Sequence, residues 1–255
     1  MALARLVSFI RYLSNWSDVW AAFRKDQPLP AFRFRSGLIL KGGPRDDLAG
    51  LFREVFAFRC YTRAFYSPKP GDIVLDIGAN IGVFVVFLRW LCPGVRVHAF
   101  EPIADTRESL IANVASNGLA NSVFVHPVAV GGRIGELTLH HGDTRAHSSV
   151  VANVTIGNVQ ERVTCIDLAT ALHRAGEGPI HLLKIDTEGS EVEILGKIDP
   201  SVLDRVERVV VEYHGLLRAG SRETTMKTLR RAGFTRIEDL PDLPHGELGL
   251  IRASR

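Results

Sequence analysis

The chain has 255 residues, of which 46% are apolar and 23% are charged, and its formal net charge is +3. This composition excludes a disordered chain, and the length suffices for one domain with a sizeable hydrophobic core. No run of 18 uncharged apolar residues occurs, so the sequence predicts no transmembrane helix.

The first predicted helix is basic and amphipathic. Its apolar positions recur at helical spacing and are Leu3, Leu6, Val7, Ile10 and Leu13. Arg5 and Arg11 lie on the other side, and residues 1–70 together contain 12 Lys and Arg but only 5 Asp and Glu. Such a helix can lie on a membrane surface, dock against a partner or pack over the rest of the protein. We favour packing and keep a peripheral membrane contact as the alternative.

Residues 1–70 are expected to form an N-terminal cap on the substrate side of a domain of residues 71–255 and to contribute to the acceptor pocket. A small hairpin is predicted at Arg33–Leu40 and a helix at Leu48–Phe58.

Two arginines interrupt the first apolar stretch and no small-residue cleavage site follows it, so a signal peptide is not expected. Three widely spaced cysteines lack the spacing of a zinc site and indicate reduced thiols. These features predict a cytoplasmic protein.

A buried strand, a glycine turn and a helix follow one another from residue 73 to residue 91. Ile73–Leu75 leads into Asp76–Gly82, which reads DIGANIG. Glycines let the backbone approach a ligand, and a helix N-terminus offers free N–H groups. Dinucleotide sites have the spacing G-x-G-x-x-G instead, and a carboxylate at Asp76 would repel their pyrophosphate. The turn therefore favours a nucleotide with a cationic amino group, such as S-adenosylmethionine.

A second acid marks the end of the next predicted strand. Val95–Phe100 is followed by Glu101 and Pro102. An acid roughly 20 residues beyond the glycine turn is placed to accept hydrogen bonds from both hydroxyls of a ribose. NAD sites share this feature, so Glu101 supports an adenosine ligand without choosing between the two cofactors.

Strands and helices alternate through the rest of the chain. Further helices are predicted at Ala104–Asn117, Leu168–Ala175, Val192–Leu195 and Arg222–Ala232, and further strands at Val123–Val130, Leu137–His140, Arg162–Ile166, Ile180–Ile185, Val206–Tyr213, Phe234–Asp239 and Glu247–Arg252. Alternation indicates a parallel sheet, whereas two successive strands with a short connection pair antiparallel. An α/β fold with a seven-stranded sheet, parallel with a reversed last strand, is the Rossmann-like architecture of class I methyltransferases. It favours S-adenosylmethionine over NAD.

Several motifs in this order resemble the FkbM-type methyltransferases. They are VLDIGANIG at 74–82, FEP at 100–102, the pair Asn113 and Asn117, LLKIDTEGSEVEIL at 182–195 and VEYH at 211–214, with Tyr61 upstream. The resemblance implies an S-adenosylmethionine-dependent O-methyltransferase that acts on a sugar, a glycolipid or a secondary metabolite. A small-molecule or glycan acceptor is therefore the expected partner, and no nucleic acid is expected.

The resemblance also assigns the residues that contact the cofactor. They are Asp76, Gly78, Ala79, Asn80, Gly82, Glu101, Pro102, Ala129 and Val130. Asp76 would face the amino group, directly or through water, and Glu101 would bind the ribose. Asn80 would bind the carboxylate or hold the turn, while Ala129 and Val130 would contact adenine.

The acceptor side is expected at the carboxyl ends of the fourth and fifth main strands, where ligands bind in open α/β sheets. Asp186 and Glu188 follow the fourth strand, and Glu212 and His214 end the fifth, on one face. We predict that these four residues serve catalysis. His214 is the candidate general base because an unperturbed histidine has a pKa of about 6.5; a histidine that merely pairs with Glu212 is the structural alternative.

The same four residues could also bind magnesium or manganese. Glu188 could instead orient the helix that follows it, and the FkbM-type pattern requires no metal. We therefore predict S-adenosylmethionine as the cofactor and no metal ligands.

Other classes of protein are less consistent with the sequence. Amino-methylating nucleic-acid enzymes commonly carry an Asn/Asp-Pro-Pro-aromatic turn where this chain has Asp186-Thr187-Glu188-Gly189. Two acids aimed at a phosphate backbone are also unfavourable. A non-catalytic binding module of the same fold would be expected to lack the cofactor residues, which are present.

Overall fold

Helices and strands alternate along most of the chain. The structure, a computed structural model, describes residues 2–43, 46–141, 148–149, 159–241 and 247–255. The helices are α1 (Ala2–Tyr12), α2 (Trp16–Arg24), α3 (Leu48–Phe52) with a π-helical continuation (Arg53–Phe58), α4 (Val83–Leu91), α5 (Ala104–Ser116), α6 (Leu168–Arg174), α7 (Glu191–Gly196) and α8 (Ser221–Arg231), with a 3₁₀ turn at Pro200–Leu203. The strands are β1 (Phe32–Arg33), β2 (Ile39–Leu40), β3 (Ile73–Ile77), β4 (Arg96–Phe100), β5 (Val123–His126), β6 (Ala129–Gly131), β7 (Gly135–His141), β8 (Ser148–Ser149), β9 (Val159–Asp167), β10 (Leu182–Ile185), β11 (Arg208–His214), β12 (Arg236–Pro241) and β13 (Leu248–Ser254).

A seven-stranded sheet forms the centre of the fold, in the order β12-β13-β11-β10-β3-β4-β5. Strands β10, β11, β3, β4 and β5 pair in parallel, whereas β13 is antiparallel to both of its neighbours. Every residue of β3 and β10 is buried because helices cover both faces of the sheet. The predicted α/β architecture with a reversed last strand is confirmed.

The predicted strand Val123–Val130 is in fact two strands that belong to different sheets. β5 lies in the central sheet, whereas β6 pairs with β9 in a four-stranded sheet of order β6-β9-β7-β8. Pro127 separates the two strands, and its missing N–H group cannot continue a hydrogen-bond ladder. The predicted strand Leu137–His140 forms part of β7, which runs antiparallel to β9.

The N-terminal cap shares its hydrophobic core with the central domain. Phe34, Phe52 and Phe56 form an aromatic cluster that continues to Phe87 of α4, with ring centroids 4.6 to 5.4 Å apart. Each such pair stabilises the fold by roughly 0.5–1.5 kcal/mol beyond the area it buries. The division at residue 70 stays a prediction, and the core is continuous across it.

Two asparagines of α5 attach the cap by its β2 edge. Asn113 accepts from Lys41 N at 2.8 Å and donates to Lys41 O and Ile81 O at 2.9 and 2.8 Å. Asn117 makes the same two bonds with Ile39. Each side-chain amide therefore pairs with the cap's backbone as a neighbouring strand would. The asparagine pair of the motif has a structural role.

Only part of the predicted apolar face of α1 is buried. Leu13, which the prediction includes, and Phe9, which it omits, pack into the core, whereas Leu3, Val7 and Ile10 stay exposed. The aromatic side chain of Phe9 contacts the phenylalanine cluster of the cap and hides more apolar area than an aliphatic one. Among the helices that the structure describes, none is both long and apolar enough to cross a bilayer.

Candidate active site

A cavity of about 630 Å³ opens at the carboxyl ends of the parallel strands. The turn after β3, the end of β4 and strands β6 and β7 line one side, which we call the cofactor side. The ends of β10, β11, β12 and β13 and the π-helical segment Arg53–Phe58 line the other, which we call the acceptor side. The volume of the whole cavity is typical of a small-molecule site.

Backbone conformation and close packing both require glycine at two positions of the turn after β3. Gly78 and Gly82 have φ of 78° and 84°, which favours glycine. A Cβ at Gly78 would lie 1.8 Å from the Asp186 backbone oxygen, and one at Gly82 would lie 2.5 Å from Leu110 Cδ1. Of the predicted turn residues, Gly78 and Asn80 line the cavity, while Ala79 and Gly82 lie behind its wall.

Asn80 holds the turn through its own side chain. It has a φ of 50°, and its Oδ1 accepts a hydrogen bond from Ile81 N at 2.7 Å. Asparagine tolerates this left-handed conformation better than most residues do. Of its two predicted roles, the structural one is therefore visible in the fold.

Asp76 lies behind the cavity wall, fully buried. Its Oδ1 accepts a hydrogen bond from Lys184 Nζ at 2.9 Å, which follows from the direct pairing of residues 76 and 184 across β3 and β10. Its Oδ2 is buried without a hydrogen-bond partner among the described residues. Burial raises the pKa of Asp76, and Lys184 opposes that rise. A carboxylate with no exposed surface contacts neither a ligand nor water in the cavity, so the structure shows neither of the two predicted routes to a ligand's amino group.

Glu101 is positioned as predicted, at the end of β4 and in the cavity wall. Its Oε2 accepts from Asn80 N at 3.0 Å and its Oε1 from Ile103 N at 2.9 Å. Each oxygen keeps one further lone pair, so the carboxylate can accept two more hydrogen bonds. Burial raises the pKa of Glu101 to about 7, although the two backbone N–H groups favour the ionised form.

The rest of the cofactor side is apolar. Ala129 and Val130, in β6, line it together with Pro102, Leu137 and Leu139. This composition suits a flat aromatic base held by van der Waals contact. Ala129 and Val130 therefore line the cofactor side, although they belong to the four-stranded sheet and not to the central one.

On the acceptor side, one hydroxyl bridges two carboxylates. Tyr61 Oη lies 2.8 Å from Glu212 Oε2 and 3.1 Å from Asp186 Oδ2. A tyrosine has one proton to donate, so both contacts are full hydrogen bonds only when one of the two carboxyl groups is protonated. Burial and the charge of Asp186 raise the pKa of Glu212 to about 8. Glu212 can therefore hold such a proton near neutral pH and release it as the pH rises.

His214 contacts two other carboxylates. Its Nδ1 lies 3.2 Å from Glu191 Oε1 and its Nε2 lies 3.3 Å from Glu188 Oε2. Burial alone would lower the pKa of His214, but the hydrogen bond to Glu191 and the charges of Glu188, Glu191 and Asp186 raise it to about 10. The ring is therefore a cation at neutral pH, not the neutral base that its unperturbed pKa predicted.

Sequence reasoning did not identify Glu191 as the hydrogen-bond partner of His214. Glu191 is fully buried at the start of α7 and accepts hydrogen bonds from Thr187 N, Gly189 N and Ser221 Oγ at 3.1 to 3.3 Å. A carboxylate is favoured at a helix N-terminus, which is the sequence signal that could have identified it. Glu212, the predicted partner, faces Tyr61 instead.

A possible metal-ligand set exists within this cluster. Asp186, Glu212 and His214 each offer one ligand atom, and these atoms lie within 4.8 Å of one another. However, Lys184 Nζ lies 3.4 Å from Asp186 Oδ2, and both His214 nitrogens face carboxylates. A divalent ion would have to displace protons from this cluster and approach a buried lysine, which disfavours the site.

The cap completes the acceptor side. Leu51, Val55, Phe58 and Tyr61 line the cavity, and Phe58 is 54% exposed at its edge. The π-helical geometry of Arg53–Phe58 is rare and is frequent at functional sites. Sequence periodicity could not place these side chains, since their contacts join residues far apart in the chain.

Comparisons with known proteins identify the family of the chain. The family described as the methyltransferase FkbM domain matches residues 76–235. Over 233 residues, 80% of this chain and 89% of the other, the chain is 30% identical to the 31-O-demethyl-FK506 methyltransferase FkbM of Streptomyces tacrolimicus. It is 28% identical to Methyltransferase 1 of Beauveria bassiana, over 75% of this chain and 83% of that protein.

A solved structure shares the fold. The crystal structure of methyltransferase FkbM from Methylobacillus flagellatus KT matches with a TM-score of 0.54 at 12% sequence identity. The match covers 98% of this chain and 58% of that chain. At this identity the similarity establishes the fold.

Proposed function

The chain belongs to the FkbM methyltransferase family, and from this premise we propose that it transfers a methyl group from S-adenosylmethionine to a hydroxyl group. The acceptor in this proposal is a sugar, a glycolipid or another secondary metabolite. We further propose that the reaction takes place in the cytoplasm, which three free cysteines support.

One observation carries the proposal. A single cavity joins Glu101, which can still accept two hydrogen bonds, to the carboxylate and histidine cluster at the ends of β10 and β11. A nucleotide ribose and an acceptor hydroxyl can therefore be held in the same space. When bound, S-adenosylmethionine supplies a methyl group that its sulfonium centre already activates.

The residues of the cofactor side fit this cofactor. Glu101 would accept from both ribose hydroxyls, and the apolar wall at Ala129, Val130 and Leu139 would hold the adenine. Gly78 and Asn80 would lie beside the methionine part, and Asp76 would support the wall behind them through its bond with Lys184. In this assignment the ribose hydroxyls meet a carboxylate and the adenine ring meets an apolar wall.

The walls of the acceptor side favour a molecule with an apolar body. Leu51, Val55, Phe58, Leu240 and Leu250 surround a floor of ionisable groups. A hydroxyl directed at that floor and a hydrocarbon body against the leucines would satisfy both regions. The Streptomyces relative is named for the 31-O position of FK506, which supports an oxygen acceptor. A glycolipid or another secondary metabolite therefore fits better than a free sugar.

Within the cluster we assign proton removal to Glu212. An efficient general base has a pKa near the working pH, and the pKa of Glu212, raised by burial to about 8, is nearer to neutrality than that of His214. Both nitrogens of His214 are engaged by Glu188 and Glu191. Asp186 would orient the acceptor through Tyr61, and the enzyme's main contribution is to hold the hydroxyl in line with the transferred methyl group.

Calorimetry of cofactor binding tests the site. S-adenosylmethionine should bind the parent protein, and Glu101→Gln should weaken binding at least about tenfold, a loss of ~1.4 kcal/mol, because an amide accepts at only one of its two ends. Glu108→Gln, an exposed acid on α5, is the matched control. A folded Glu101→Gln variant that binds as tightly as the parent would contradict the assignment.

A panel of acceptors tests the reaction. Glycosides, glycolipids, macrolides and structured RNAs would be incubated with the full chain and S-adenosylmethionine, and release of S-adenosylhomocysteine measured. We expect turnover with a hydroxylated molecule that has an apolar body. Methylation confined to RNA would contradict the proposal and favour a nucleic-acid methyltransferase, and binding without turnover of any acceptor would favour a non-catalytic module.

A further inference from the structure

Helix α1 carries an apolar stripe that faces away from the core. Leu3, Val7 and Ile10 are 73%, 57% and 40% exposed. Their spacing of four and three residues places them on one side of the helix. Phe9 and Tyr12, on the other side of the helix, are buried in the core. The helix is therefore apolar on both sides, and exposed apolar stripes of this kind mark interaction sites.

Basic residues outnumber acidic ones in the segment that carries the stripe. Residues 2–41 contain seven Lys and Arg but only two Asp and Glu. Arg11 is exposed and follows Val7 by four residues, so it borders the stripe. The guanidinium of Arg35 donates to the Ile10 carbonyl from Nε at 3.3 Å and from Nη2 at 3.1 Å. Two arginines thus lie beside the last apolar residue of the stripe.

We propose that α1 attaches the protein to the surface of an anionic lipid membrane. The helix would lie in the plane of the interface, with Leu3, Val7 and Ile10 inserted between lipid headgroups and Arg11 and Arg35 beside lipid phosphates. Apolar insertion combined with basic flanks is the physical basis of interfacial helix binding. The inference goes beyond methyl transfer, and it does not depend on the acceptor.

Charge and shape favour a lipid surface over a protein partner. A second copy of this chain would bring an equally basic segment against α1, which is electrostatically unfavourable. A straight stripe of three aliphatic side chains also matches a planar interface. An anionic bilayer satisfies both the apolar and the charged groups.

Vesicle co-sedimentation of the full chain tests the proposal. The parent should bind vesicles of equal parts phosphatidylcholine and phosphatidylglycerol, and bind phosphatidylcholine vesicles much less. The triple variant Leu3→Ser, Val7→Ser, Ile10→Ser should bind at least about tenfold more weakly, since the apolar anchor is lost. Arg11→Gln should weaken binding to anionic vesicles about fivefold, and added salt should have the same effect.

The control removes exposed aliphatic side chains elsewhere. Ile111→Ser with Ile134→Ser, which are 49% and 64% exposed in the parent, should leave vesicle binding unchanged. Circular dichroism would show that both multiple variants are folded. The proposal would be overturned if the parent protein did not bind anionic vesicles, or if the triple variant bound them as tightly as the parent does. A concentration-dependent dimer in light scattering that the triple variant abolishes would overturn it too, in favour of self-association.

Discussion

The titration of His214 tests the electrostatics of the acceptor side. Although burial opposes it, the interactions with Glu191 and Glu188 raise the pKa of this ring to about 10. Near neutral pH only about one molecule in a thousand would then carry a neutral ring, because each pKa unit changes the ratio tenfold. Any role of His214 as a base at neutral pH depends on that small fraction.

Replacing Glu188 by glutamine should reverse part of this effect. Its Oε2 lies 3.3 Å from His214 Nε2, and the pair is largely buried. Removing an opposite charge at this distance lowers a histidine pKa by about 1–2 units. The neutral fraction near neutral pH would therefore rise about 10- to 100-fold. If His214 were the base, this removal of an acid would accelerate the reaction at neutral pH.

Nuclear magnetic resonance of the protein labelled at its histidine rings measures this without an acceptor. His214→Gln assigns the signal, which we expect to titrate near pH 10 in the parent and at lower pH in Glu188→Gln. Glu193→Gln is the matched control: this acid lies on α7, just after the turn that holds Glu188, and pairs with Arg218, so its removal should leave the titration unchanged. A parent signal that titrates near the unperturbed value of about 6.5 would refute the electrostatic argument.

The same shift has a consequence for stability. Because the folded pKa of His214 is raised, its stabilising contribution is fully present below pH 6.5 and is lost as the pH rises to about 10. At about 1.4 kcal/mol per unit, the contribution is at most a few kcal/mol. The difference in unfolding free energy between the parent and His214→Gln should therefore shrink across this pH range.

The pH dependence of turnover then identifies the base. Activity that rises up to about pH 8 matches Glu212, whose pKa is raised to about 8 by burial, whereas a rise that continues to about pH 10 matches His214. Loss of activity on chelation, with recovery on adding magnesium, would instead assign proton removal to a metal.

Three substitutions probe other parts of the fold. Gly78→Ala should lower the unfolding free energy by at least about 2 kcal/mol in denaturant titrations, since its Cβ would lie 1.8 Å from a backbone oxygen. Gly71→Ala, at a similar φ but with no described atom within 4 Å of the added Cβ, should cost much less. Asn113→Ala should lower it by about 1–3 kcal/mol, because the buried Ile81 carbonyl and two part-buried backbone groups of Lys41 lose their hydrogen bonds. Tyr61→Phe should move the rising limb of the pH–rate profile to higher pH, because the ionised form of Glu212 loses a hydrogen-bond donor.

Local patterns predicted most of the fold. The apolar runs of β3 and β10 and the two successive strands at the end of the chain were sufficient to predict a parallel sheet with a reversed last strand. The position of Glu101 also followed from the sequence, because ligands bind at strand ends in such sheets. The break between β5 and β6 was missed, although Pro127 marked it.

The ionisation of the site could not be predicted from local patterns. Tyr61 and Glu212 are 151 residues apart in sequence, and no periodicity indicates that the hydroxyl reaches the carboxylate. The pKa of His214 depends on Glu191, whose burial results from the packing of α7 against β11. A residue's identity gives its unperturbed pKa, whereas neighbouring charges and burial decide its state.

Asp186 is the residue at which the two sides of the cavity meet. Its backbone oxygen faces the position that a Cβ of Gly78 would occupy, and its carboxylate contacts Tyr61 and lies 3.4 Å from Lys184. Lys184 in turn binds Asp76 behind the cofactor side. A substitution of the Asp186 side chain would therefore remove a carboxylate from Lys184 and from Tyr61 at the same time. Glu101 belongs to the cofactor side alone, which is why its substitution can separate cofactor affinity from the chemistry of the acceptor.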